Sequence, residues 1–581
     1  MAEQGSGNAT QLRERAGKSQ ETFTPAPVRG RKGTKARPVG SLARYLSRTF
    51  GPGALTLGPV PGVALIAGPV SAALMVVRLL FPEPVGMADQ GDGHGLVCSL
   101  GVMNQRPWDY AEFTKYIHPA WVPHQFYGEG CGANGTGEPN YSSQLLLLWL
   151  GKLLTPLMGW GPGLDTRAVG IVCCVVFGLL IAALINVLPG RPWFRILIAA
   201  LVTGVMADGI FADFFISPYS EPAAFLGILA VSVALLHYWN GRGPRWLALL
   251  LVVLATVFTI AAKTQTVSWL PVIALALLWQ PWRQGTTDGE ASAVEPPSAV
   301  EPPSGGTPAA ASGRGGHRWR ASLLPATAVL LIAAFSVAFI NAQPKRFSEV
   351  NLYNAVFVEL LPYSPTPEAD LEWLGLDPSF INAMDTTVAS TRSAVYNPLY
   401  PQFQEKISLG TIAGFYATHP ERLITMGERG VTAMLTPELG YVGSYLEGSG
   451  HGPHEKERRF PVVLGLFSAV KAAPVAFVGI QLVTLLLGLA VAFRKRSAVG
   501  RLAVIMVLGC WLQFWAVMLN GGQAEIYKHM IIAGFMAALC GPLLVALISL
   551  LASDPGKAVA RKSRGRRARA RQGSAEPAIS G

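Results

Sequence analysis

The sequence predicts an all-α polytopic membrane protein with about ten to eleven membrane-spanning helices. Three observations predict it. Half of the residues are hydrophobic and only 14% are charged, against roughly a quarter charged in an ordinary soluble domain. The mean hydropathy is +0.35. Apolar runs recur along the chain, and each is long enough to cross a hydrocarbon core of about 30 Å.

The elements follow in order. Residues 1–54 form a basic tail, expected to be disordered and cytoplasmic, and the first apolar run is Leu55–Phe81. It starts too late for a cleavable signal peptide and reads as a signal-anchor span. A polar stretch, 82–143, comes next, then a weak apolar run, 144–160, interrupted by Lys152 and Pro156. Strong runs follow at 168–188, 196–216, 221–239, 245–262 and 265–281. Residues 282–320 repeat the unit AVEPPS and are rich in proline, which predicts a disordered linker. A span at 321–341 leads to a second polar segment, 342–460, of mixed structure. The last spans, 461–493, 499–520 and 527–551, fall in a module ending at 552, and 553–581 is a second basic tail.

Charge sets the orientation. The tails 1–50 and 553–581 carry nets of +7 and +6, enough to account for the whole excess of +12. Cytoplasmic segments favour Lys and Arg. If 144–160 does not fully cross, ten crossings put both termini, the linker and Arg191, Arg195, Arg242, Arg245, Arg494 and Arg501 on the cytoplasmic side. The stretches 82–143 (seven acidic, two basic) and 342–460 (fourteen acidic, nine basic) then lie outside. A full crossing by 144–160 would turn the basic loops outward. Nucleic acid is an unsuitable partner, because no aromatic residues interleave the run RKSRGRRARAR. Anionic lipid heads suit the tails better. Cys98 and Cys131 share the outer loop, where a disulfide is permitted; Cys173, Cys174, Cys510 and Cys540 lie within spans as apolar filler.

On this topology five polar clusters reach one membrane face. The first is Asp89-Gln-Gly-Asp-Gly-His94. Its carboxylates can act as a base or share a cation, and the bland alternative is an Asp/Gly turn leaving a helix. The second is Ser217–Glu221, where Glu221 stands at a helix N-terminus and simple capping competes as an explanation. The third is Lys263-Thr-Gln265, a cation placed against the charge rule, suited to a phosphate head group or to snorkelling. The fourth, Gly521–His529, places Glu525, Lys528 and His529 at i, i+3 and i+4 on one helix face. The fifth is the segment 342–460, with a helix start at Pro420 followed by Arg422 and Arg429. His451 and His454 lack further zinc ligands at the usual spacing, and no P-loop or G-x-S-x-G motif occurs.

One span, an acidic outer loop, a bundle and a later outer domain together resemble the GT-C glycosyltransferases. Within them the chain is similar to actinobacterial cell-envelope hexose transferases. The resemblance rests on Asp89–His94, Asn351–Phe357, Asp370–Leu376, Tyr416–Pro420 and Gly522–His529, in pieces spread over 55–551. It implies a plasma-membrane enzyme that moves a hexosyl or pentosyl group from a polyprenyl-phosphate donor to an extracytoplasmic glycan or lipid acceptor. It also implies that an outer-loop aspartate is the general base. Asp89 or Asp92 is the counterpart, since Asp-Gln-Gly-Asp stands where many such enzymes have Asp-Glu. Topology and charge, rather than the resemblance, nominate Lys263, Lys528 and His529 for the donor phosphate. Glu221, His94 and Glu525 are nominated to support the acceptor or a metal. A divalent cation, Mg²⁺ or Mn²⁺, is left open, with Asp89, Asp92 and Glu221 as its candidate ligands. The alternative readings are a secondary transporter or lipid-linked glycan flippase, and a non-catalytic envelope scaffold. The transporter would place charges near the midplane.

Overall fold

In the computed structural model the described residues are 60–104, 106–107, 109–123, 140–241, 244–279 and 316–552, without the side chains of Asp92 and 316–322. Both basic tails, residues 55–59, Cys131 and most of the linker fall outside them.

Among the described residues, seven helices are long and apolar enough to cross a membrane. They are Pro61–Leu80 (α1), Thr166–Val187 (α3), Glu221–Asn240 (α5), Leu323–Asn341 within Gly316–Asn341 (α8), Pro474–Arg494 (α11), Ala498–Asn520 (α12) and Ile526–Ala552 (α13). Gln144–Leu157 (α2), Pro192–Ala207 (α4), Arg245–Ile260 (α6) and Leu270–Leu278 (α7) are shorter. So are Pro420–Met434 (α9) and Val462–Lys471 (α10). The all-α polytopic expectation holds, but several expected crossings differ in form. The run 196–216 is bent by 68° where Asp208 interrupts it. The run 461–493 is broken between Lys471 and Pro474, because a proline cannot continue the ladder of the preceding turn. The run 265–281 is a 3-10 turn, Thr264–Trp269, followed by the nine-residue α7. With 14 residues, α2 rises about 21 Å, short of the hydrocarbon thickness.

Local chemistry explains the helix ends. The Asp165 carboxylate accepts from the Arg167 amide at the start of α3, and Ser497 accepts from Val499 at the start of α12. Prolines open α4, α5, α7 and α11, where a missing N–H costs nothing. Gly241 closes α5 in the left-handed conformation (φ 63°) that glycine adopts without strain.

Helix α5 is buried on nearly every face and forms the middle of the bundle, between α3, α6 and α12. The last three helices pack on one another, and α13 meets α4. At one end of the bundle lie two small antiparallel sheets. Val85–Met87 (β1) pairs with Val442–Tyr445 (β5), Met87 facing Val442. Val102–Asn104 (β2), Ala120–Pro123 (β3) and Leu164–Asp165 (β4) form the other. The C-terminal ends of α1, α4, α6 and α12 and the starts of α3, α5 and α13 reach the same end.

Candidate functional site

The acidic turn begins two residues after β1. Asp89 Oδ1 accepts from the Gly91 amide at 2.8 Å, folding the chain into the 3-10 turn Gly91–Gly93. Gln90, fully buried, locks this turn in place. Its amide donates to the Met87 carbonyl (3.0 Å), and its Oε1 accepts from Trp121 Nε1 (3.1 Å) and Asn104 (3.4 Å). A Cβ at Gly93 would run into Pro218, so glycine there permits close contact with the Ser217–Glu221 cluster. The side chain of Asp92 lies outside the described residues.

Sequence reasoning missed Arg106. It is 8% exposed, its Nη1 stands 3.7 Å from Asp89 Oδ1, and its guanidinium lies 3.5 Å above the centre of the Phe113 ring. Neither Nε nor Nη1 has a hydrogen-bond partner. Burial opposes its charge, while Asp89 and Tyr219 favour it. His94 packs against Trp121 with ring centres 4.8 Å apart. Burial first, and Arg106 second, push its pKa down to about 4, so the imidazole is neutral at physiological pH.

Buried Tyr219 also meets Lys528, whose Nζ is 5.1 Å from the ring centre and 3.2 Å from Glu525. His529 Nε2 lies 3.9 Å from the same carboxylate, so the expected shared face of Glu525, Lys528 and His529 is present. Gln265 Nε2 donates to the His529 carbonyl (3.3 Å), which joins the third cluster to the fourth. Lys263 and Glu221, expected in separate roles, are partners: Nζ is 2.8 Å from Oε1 of the fully buried Glu221. Glu221 does stand first in α5, with no side-chain cap from Ser220 before it.

In the segment 342–460, α9 starts at Pro420 as expected. Arg422 pairs with Asp370 at 3.5 Å, and Arg429 pairs with buried Glu359 while its guanidinium covers Tyr363. Glu359 sits on a π-helical turn, 355–360. His451 pairs with Glu455 at 2.7 Å. Cys98 is disulfide-bonded, and the four cysteines within helices are free.

A second polar cluster escaped the sequence reading. Arg78, in the last turn of α1, reaches Asp213 (3.3 Å) and Glu457. Arg459 donates to the carbonyls of Arg78 (3.1 Å), Phe81 (2.9 Å) and Glu83 (2.8 Å). The available signal was Arg78 itself, a cation at the expected outer end of the first span.

Among the described residues no three His, Cys, Asp or Glu side chains converge as a metal site, and Asp89 and Glu221 each face a cation. The side chain of Asp92, the third nominated ligand, lies outside the described residues.

A helical bundle of this kind, with paired carboxylates and cations at the end that carries the small sheets, defines a polytopic membrane protein. The chain belongs to the family described as the YfdI N-terminal transmembrane domain, whose model matches residues 60–568. That family is one of GT-C-like membrane glycosyltransferases. No curated relative and no solved structure matches the chain.

Proposed function

We propose that the protein transfers a sugar from a polyprenyl-phosphate donor to a glycan or lipid acceptor of the cell envelope, on the extracytoplasmic face of the plasma membrane. The observation that carries the reading is the pairing of Asp89 with buried Arg106 beside Tyr219 and Lys528, in a member of a GT-C-like family. The carboxylate is a proton acceptor. The two unbonded guanidinium nitrogens of Arg106 are donors suited to a phosphate oxygen.

Asp89 or Asp92 takes the proton of an acceptor hydroxyl. The hydroxyl oxygen bonds to the anomeric carbon as the bond from that carbon to the phosphate oxygen breaks. The electron pair leaves with polyprenyl phosphate, and Arg106 and Lys528, with Lys263 and His529 at the same end, offset its charge. Neutral His94 and the Glu221 and Glu525 carboxylates hold these groups and the acceptor in place. No step is routed through a metal ion.

Asp→Asn at the base keeps size and hydrogen-bonding atoms but removes the proton acceptor, which lowers a rate by about 10²- to 10⁴-fold. The assay is restoration of the missing envelope glycan in a deletion strain, with membrane levels measured in parallel. Asp89→Asn or Asp92→Asn is expected to fail at normal protein level. Full restoration by both would remove the catalytic centre from this reading.

A further inference from the structure

A cavity of about 180 Å³ opens beside the Arg78 cluster. One wall is the break in the bent helix, with Asp208, Gly209 and Asp213; the other is the chain on both sides of β5, including Leu439, Gly443 and Lys456. We propose that this cavity binds a neutral sugar ring of the acceptor, held by Asp213 and Lys456 against an apolar wall. The inference rests on the transferase reading and deepens it by giving the acceptor a second point of attachment.

The polar groups point to a ligand that both donates and accepts. Asp213 is 1% exposed, and its Oδ1 is ion-paired with Arg78 at 3.3 Å but accepts no hydrogen bond. A buried carboxylate oxygen that accepts no hydrogen bond is stabilised by a ligand that donates one. Lys456 Nζ donates to Ser444 Oγ at 2.9 Å and has further protons to give. Burial pushes its ammonium down to about 8, the mark of a cation with little water around it. Asp208 is already satisfied: its carboxylate accepts from the amides of Ile210 (3.2 Å), Val463 (2.6 Å) and Leu464 (3.1 Å). Glu438 pairs with Arg458 at 2.7 Å.

Charge and shape narrow the class. Asp208, Asp213, Glu438 and Glu457 outnumber Lys456 and Arg458 in the lining, which disfavours a phosphate or other anion. Arg78 already bridges Asp213 and Glu457, which disfavours a divalent cation. Ile210, Leu439, Phe460 and Leu464 supply an apolar wall that matches the C–H face of a pyranose. The position also fits. Val442 of the cavity pairs with Met87, the Ala88 amide donates to the Tyr441 carbonyl (2.8 Å), and Asp89 follows. A sugar held here is one strand pairing away from the proposed base. Binding at such a remote ring positions the reacting hydroxyl.

The test uses the full-length protein in nanodiscs and saturation-transfer NMR with two probes, methyl α-D-mannopyranoside and methyl β-D-glucopyranoside. Inorganic phosphate serves as the anionic competitor. Wild type and Asp89→Asn are expected to give a signal with at least one glycoside, unaffected by phosphate. Lys456→Met is expected to weaken it about fivefold, the effect of one lost hydrogen bond. Gly440→Trp is expected to do the same by narrowing the cavity, since Gly440 lines it and a Cβ there meets nothing within 4 Å. Thermal unfolding checks that both variants fold. No signal in wild type, equal signals in folded Lys456→Met and Gly440→Trp, or displacement by phosphate would overturn the proposal. If these two variants lose binding while Asp89→Asn and Asp92→Asn keep transfer, the sugar site stands and the assigned base falls.

Discussion

Arg106 and His94 set the electrostatics around Asp89. The buried Arg106 guanidinium stands 3.7 Å from the Asp89 carboxylate. The same guanidinium, with burial, holds His94 neutral. This has a consequence for stability. A histidine whose folded pKa is about 4, against 6.5 unfolded, binds fewer protons in the native state across that interval. Its contribution is therefore intact above the unfolded value and is lost as the pH falls through 6.5 toward 4. Thermal unfolding of the solubilised protein between pH 4.5 and 7.5 checks this. We expect His94→Gln to lose less stability on acidification than wild type, in the lower half of that range. Parallel curves would show that His94 is not held neutral.

At the scale of elements, α1 packs tightly against α3. Gly68 and Ala72 of α1 face Gly178 and Ala182 of α3, so two small-xxx-small stripes meet. A Cβ at Gly178 would lie 2.6 Å from the Gly68 carbonyl oxygen and 2.7 Å from the Ala72 Cβ. Gly178→Leu forces these backbones apart and is expected to cost about 1–3 kcal/mol. That contact holds α1, which carries Arg78 and leads into β1 and Asp89. A lower unfolding temperature in detergent, with a smaller fall for Gly178→Ala, is the expected measurement. An unchanged temperature for Gly178→Leu would mean that α1 and α3 do not pack this closely. The opposite ends of the helices are held differently. Arg195 donates to the Gly190 and Ile185 carbonyls (3.0 and 3.2 Å), and Arg501 to the Trp279 carbonyl (3.2 Å), at the ends of α3 and α7. Cations at helix C-termini are favoured by the helix dipole.

For the whole molecule, the distribution of charge predicts which end faces the cytoplasm. Arg195 and Arg501 lie at the end expected inside, and Asp89, Arg106 and Lys528 at the end expected outside. Impermeant thiol labelling of single cysteines, in a background lacking Cys98 and Cys131, tests this in intact cells. Ser379→Cys is expected to label and Ser304→Cys to be protected until the cells are opened. The reverse pattern would invert the molecule and place the Asp89 end where nucleotide sugars, rather than lipid-linked ones, are at hand.

The polytopic class was legible because membrane insertion depends on summed hydrophobicity over a run, a property of composition and length. Helix starts at Glu221 and Pro420 and the shared face of Glu525, Lys528 and His529 were legible for a related reason: capping and i, i+4 geometry are local. The sequence also marked Asp89, Glu221, Lys263 and Lys528 as charges close to membrane spans. It did not show that Glu221 and Lys263 are each other's partners, that Arg106 lies beside Asp89, or that Arg78, Asp213 and Glu457 share a buried cluster. The break at Asp208 was equally hidden, because its carboxylate is satisfied by the amides of Val463 and Leu464, distant in sequence. Partners of this kind are chosen by packing between remote segments, and no window along the chain contains both members. Hydrophobic runs and local helix geometry thus follow from the sequence by itself, whereas the pairing of buried charges, and with it the chemistry of the site, is decided only when the helices assemble.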